Sequence, residues 1–207
     1  MALIQERSEA APLTRSDLLA GTLGLVRRAR AMGLLTEPRV ERLDLALVRR
    51  IATAAAEQGI GSDAAAALAG SRPAPVRLAG LIGQLGEALE ASPLPGLELP
   101  ELAVTFDLET LGRLVGASPV SLRRYLAGTR TPPDDTAARI HWLALVTGDL
   151  RGAYNPTGVR RWFERPRSAL AGRSPGDVLV GPWDPDDSEV RTVRALAEAL
   201  AVPGAAT

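Results

Sequence analysis

Two adjacent arginines, Arg123 and Arg124, lie in a stretch whose other polar residues include the small hydroxyls Ser118, Ser121 and Thr129, with Arg130 just beyond. Guanidinium groups grip guanine edges or phosphate in bidentate fashion, and serine and threonine hydroxyls adapt to bases or backbone oxygens. This is chemistry for holding a polyanion. The inventory for making and breaking bonds is thin. The chain has no cysteine, which excludes disulfides, thiolate metal sites and cysteine nucleophiles. His141 is the only histidine, so a multi-histidine metal site is excluded and a Ser-His-Asp triad disfavoured. It stands beside an apolar stripe, where a structural role is expected. Asp184, Asp186 and Asp187 are expected to be solvated loop acids, not a hard-metal site. No Walker-type phosphate loop is present. The expectation is a protein without enzyme activity, cofactor or metal.

Charge distribution agrees with a polyanion-facing segment. Formal net charge is zero, yet residues 107–173 carry 11 arginines against 6 acids, a net +5. Residues 1–106 come to −1 and residues 174–207 to −4, and no lysine occurs anywhere. A basic middle between neutral and acidic ends concentrates attraction in one place.

The elements that must position these residues read as helices. Aromatics are 3% of the chain while alanine and leucine dominate, which favours helix over strand. The segment Leu108–Leu126 meets several steric demands at once. Two helices that cross steeply need a very small residue where they touch, supplied by Gly112, and a turn tolerant of positive φ, supplied by Gly116. Leu111, Val115, Leu122 and Tyr125 fall on the inward faces, and Pro119 sits in the first turn of the second helix, where its missing N–H costs little. The spacing predicts a helix-turn-helix near residues 108–126, with Val120, Ser121, Arg123 and Arg124 presented outward. The alternative is an ordinary helical hairpin with a solvated arginine face.

Upstream, Thr14 and Asp17 form a start signal for a helix that Gly33 stops. A second helix is expected from about Pro38 to Gln58, a short one from Ser62 to Gly70, and a glycine-weakened one over 76–91. Residues 64–80 faintly echo the layout of the helix-turn-helix stretch, as alanine-rich sequence readily does. Three prolines in 92–100 predict a non-helical domain boundary, followed by a short strand or extended linker over Leu102–Phe106. Downstream come a break at Asn155-Pro156, a short helix carrying Trp162, a Gly/Pro/Asp-rich loop at 171–187, and a last amphipathic helix over 188–201.

The carboxy-terminal stretch carries an ordered set: Trp162, Pro166, Leu170, Gly172, Pro175 and Leu179. It resembles the toxin-binding domain of the ParS/MbcA/Xre-type antitoxins, in which a helix ending in Trp leads to a Pro, then Leu-x-Gly-x-x-Pro and an apolar residue before the last helix. A helix-turn-helix precedes that domain in the family. The resemblance covers about residues 107–201. Gly176 stands where the family has a leucine, Pro182-Trp-Asp-Pro-Asp-Asp187 lengthens the loop, and the amino-terminal region is far longer than usual. The resemblance implies a toxin partner of the RES type that consumes NAD. It also implies a partner-binding set of Trp162, Arg165, Pro166, Leu170, Gly172, Arg173 and Pro175. Packing is the alternative for Trp162 and Pro175.

The expected architecture is therefore all-α in three parts. These are a helical amino-terminal region over 1–95 with a dimerisation role, a DNA-binding helix-turn-helix domain over 101–153, and an antitoxin-like partner-binding domain over 154–207. The expected function is an antitoxin-type repressor, binding operator DNA through Ser118, Ser121, Arg123, Arg124, Thr129 and Arg130 and acting as a homodimer in the cytoplasm. A stand-alone transcription regulator without a toxin, and an adaptor that has lost DNA binding, are the competing readings. No membrane is expected, since no apolar run approaches the roughly 18 residues of a membrane span.

Overall fold

The computed structural model describes residues 13–37, 39–70 and 73–201. Those residues form eleven α-helices and no strand: α1 (Ser16–Ala31), α2 (Leu45–Glu57), α3 (Ser62–Ala69), α4 (Pro75–Glu90), α5 (Pro95–Ala103), α6 (Leu108–Val115), α7 (Pro119–Leu126), α8 (Asp134–Leu150), α9 (Pro156–Glu164), α10 (Pro175–Val178) and α11 (Ser188–Ala201). A single 3-10 turn spans Ser168–Leu170. None of the described helices is long and apolar enough to cross a membrane. Contacts divide the chain into two compact units between Ser92 and Pro93, with Ala31–Gly33 grouped with the second.

The first unit packs α2 against α3 and α4, and α3 against α4. Asp44 starts α2 by accepting the Leu47 N–H at 2.8 Å, which satisfies one of the helix's orphan donors. The expected start at Pro38 lies outside the described residues, and Val40 and Leu43 are half-buried in an extended approach to the helix. Arg49 reaches across to donate to the carbonyls of Leu68 and Gly70, both at 2.6 Å, and so closes the end of α3. The apolar stripes of α1 and α2 pack within the unit, with Leu19 and Leu23 only half-buried. Leu18, Leu25, Val26, Leu47, Val48 and Ile51 are all buried. Burial also explains why α4 forms despite Gly80, Gly83 and Gly86. Leu78, Leu81, Ile82, Leu85 and Leu89 bury one stripe, and tertiary packing outweighs weak helix propensity.

The second unit is built around α8, whose residues 140–150 are all buried. A helix covered on every side needs neighbours on every face. Here α5, α6 and α11 provide them. One continuous apolar cluster runs from Leu99 through Trp142 to Ala197. Residues 101–153 and 154–201, set apart by sequence, thus share a core.

Residues 92–100 correct the sequence expectation. They contain most of α5, with Pro100 inside it. Pro100 is exposed, so the carbonyl it leaves unbonded four residues back, that of exposed Gly96, is open to water. Leu99, Leu102 and Glu98 bury the opposite side. Leu102–Phe106, expected as a short strand or extended linker, is likewise the end of this helix and a turn, closed by hydrogen bonds from Thr105 and Phe106 N–H to the Leu102 carbonyl. Arg151 and Arg160 then hold the turn, donating to the carbonyls of Glu101 at 2.6 Å and Thr105 at 2.8 Å.

Candidate nucleic-acid interface

Helices α6 and α7 stand at the surface of the second unit, and each is capped by its own sequence. Asp107 accepts the Thr110 N–H at 2.7 Å. That bond holds its carboxyl below the ordinary value of 3.8, since a donor aimed at the anion favours the charged form. Gly116 ends α6 in the left-handed region with φ of 71°. Ser118 caps α7, accepting the Ser121 N–H at 3.1 Å, and Pro119 follows at the first helical position. The crossing is as tight as glycine allows. A Cβ on Gly112 would collide with the carbonyl oxygen of Ala117, which cannot move without moving the turn. Leu111, Val115, Leu122 and Tyr125 are buried beneath the pair, where the spacing predicts them.

The outward face of α7 presents Arg123 and Arg124, both exposed and neither paired with a carboxylate among the described residues. Elsewhere in the unit Arg151, Arg173 and Arg194 are held in ion pairs. Arg113, Arg161, Arg165 and Arg191 are also exposed without a carboxylate partner among the described residues; Arg123 and Arg124 differ in standing on the helix that follows the Gly112 crossing. Val120 is 54% exposed beside them and Ser121 is half-buried. Ser118 and Thr129 are partly committed. Ser118 is the cap, and Thr129 donates both its N–H and its hydroxyl to the Arg124 carbonyl. The Arg130 guanidinium lies over the Tyr125 ring, 5.9 Å from its centre, and the residue is exposed.

The second candidate set divides by burial. Trp162 is 3% exposed, edge-on to Phe163 at 5.1 Å and covered by the Arg167 guanidinium at 5.2 Å. Leu170 and Pro175 are buried too, and Pro175 opens α10 behind a Ser174–Asp177 capping box. These three side chains are core, so they cannot be surface contacts for a partner in this state. Arg165, Pro166, Gly172 and Arg173 remain exposed, with Arg173 paired to Glu189 at 2.5 Å. The departure at Gly176 has a steric reason: a Cβ there would sit 3.0 Å from the Phe163 carbonyl oxygen, where α10 crosses the end of α9.

Among the described residues no group of three or more His, Cys, Asp or Glu side chains could hold a metal ion. Asp184 and Asp187 instead accept backbone N–H groups of their own loop. Sequence reasoning missed the partner of the lone histidine. His141 meets Glu98, because α5 was taken for a break. It also missed the fastening of Trp183 to α6, where the only signal was an indole in a polar loop, since buried Trp N–H groups require an acceptor. No family model, curated protein or solved structure matches the chain.

Proposed function

We propose that this chain is a DNA-binding transcription repressor in which α6 and α7 act as a helix-turn-helix and α7 enters the major groove. The observation that carries the reading is the coincidence of a glycine-locked crossing at Gly112 with two exposed, unpaired arginines on the following helix. A helix fixed this firmly can hold side chains in register with base edges, and Arg123 and Arg124 supply the donors. Arg130, on the turn after α7, suits the flanking phosphate, and Thr129 holds that turn through its two bonds to the Arg124 carbonyl. Ser118 contributes by holding the helix N-terminus, and Ser121 offers one hydroxyl toward the groove.

One such module buries little surface, so the reading includes a homodimer on paired half-sites about one helical turn apart. The test is selection of bound duplexes from a random library by the full chain, followed by light scattering of the complex. Recovery of a two-fold symmetric site and a two-chain complex supports the reading. Recovery of no enriched sequence rejects it.

A second reading adds a partner. The ordered pattern from Trp162 to Leu179 and the exposed residues Arg165, Pro166, Gly172 and Arg173 favour an antitoxin that also neutralises a RES-like, NAD-consuming toxin. Under it, the buried members of the pattern shape the surface and the exposed ones touch the toxin. Co-expression with the product of the adjacent gene separates the two. Co-purification and loss of the toxin's NAD consumption favour the antitoxin, and their absence leaves the stand-alone regulator.

A further inference from the structure

The last carbonyls of a helix lack partners within it. In α6 one of them, that of Leu114, is taken by a residue far along the chain: the indole N–H of Trp183 donates to it at 2.9 Å in a buried setting. Trp183 is in turn held. Its own carbonyl accepts Arg139 Nε–H at 2.7 Å, the Arg139 guanidinium lies 5.5 Å from its ring centre, and the Trp142 ring packs edge-on at 5.2 Å. The same guanidinium backs the turn between α6 and α7, with Nη1 2.7 Å from where a Cβ on Gly116 would be. Leu114, Trp183, Arg139 and Gly116 therefore close a ring around the exit of α6. Only residues 116–118 separate that exit from the first turn of α7.

From this ring we infer that Trp183 and Arg139 are positioning residues for the DNA face, and that the loop before α11 sets the placement of α7 and hence DNA affinity. The inference rests on the DNA-binding reading above. Neither residue needs to touch DNA. Trp183 is 5% exposed, and Arg139 is spent on the loop. A preorganised reading helix binds more tightly because its ordering cost is met before binding. The loop segment Pro182–Asp187 supplies the indole that does so.

The test uses the full chain and a duplex selected by it. Trp183→Phe keeps the ring and removes the N–H, and Arg139→Lys keeps the charge and removes the planar group. The expected result is about a tenfold loss of affinity in each, within the range usual for coupled sites. Helical circular dichroism should stay unchanged, and so should the dependence of binding on salt, because no phosphate contact is removed. The Trp183 indole N–H resonance, assigned in the parent protein by triple-resonance NMR, should shift when DNA is added. If Trp183→Phe does not fold, the Arg139→Lys variant and this resonance carry the test alone. Parent-like affinity in a folded variant, or an unmoved resonance, overturns the inference and leaves DNA binding intact. A parent protein that binds no duplex removes the DNA reading, and this inference with it.

Discussion

Nδ1 of His141, in the middle of α8, lies 2.5 Å from Oε1 of Glu98 in α5, and both side chains are buried. This pair ties the helix that carries the unit's core to the helix on which α7 also packs. Removing Glu98 takes its carboxylate away from the buried imidazole. Glu98→Leu should therefore destabilise the chain by about 1–3 kcal/mol, measured by urea denaturation. Replacing both, as Glu98→Leu with His141→Phe, should recover part of that loss. Equal stability of the single variant and the parent would show that the pair contributes nothing to the fold.

Glycine-to-alanine changes should split in sign by location. At Gly112 a methyl meets backbone, so Gly112→Ala should cost about 1–3 kcal/mol as overpacking. At Gly80 on the exposed side of α4, a methyl meets nothing within 4 Å. Gly80→Ala should stabilise by about 0.5–1 kcal/mol through helix propensity. Thermal melts of the two variants, run side by side, check both signs.

How much of this was legible in the sequence follows from where local and tertiary forces agree. Around Gly112, Gly116, Ser118 and Pro119 the caps, the turn and the apolar spacing agree on two short helices joined by a tight turn, and those two helices and that turn are found. At α5 they conflict. Pro93, Pro95 and Pro100 read as a break, yet Leu99, Leu102 and Phe106 bury on one side and Pro100 faces water. With α5 unseen, Glu98 could not be matched to His141. The packing shared across the second unit was hidden for a related reason, since a core shared by Leu111 and Val193 leaves no mark in either segment alone. Trp162 kept its place in a short helix but proved to be core.

The capping box of α10 makes a pH prediction. Asp177 is held below its ordinary 3.8, chiefly by the Ser174 hydroxyl and then by the Ser174 N–H. A carboxyl depressed in the folded state adds stability that is present above 3.8 and lost as pH falls through its lower folded value. Asp177→Asn should therefore flatten the fall in thermal midpoint below pH 3.8, while above it the variant is less stable than the parent. Parallel midpoint curves for the two proteins would contradict this.

Arg123→Ala and Arg124→Ala should each weaken binding to the selected duplex without unfolding the chain. A base-contacting arginine is worth about 1–3 kcal/mol and its loss relaxes preference at one position. A phosphate-contacting one lowers affinity evenly and reduces the salt slope by about one. Comparing binding to the selected site and to single-base variants assigns each arginine to one of these roles.

The most direct test of the central claim is fluorescence anisotropy of the full chain on its selected duplex across a salt series, with Arg123→Ala/Arg124→Ala as the comparison. The account predicts saturable binding by the parent that weakens steeply with salt, and a double variant that stays helical, binds far more weakly and shows a shallower salt dependence. Identical curves for parent and double variant, or no binding by the parent at low salt, would contradict it.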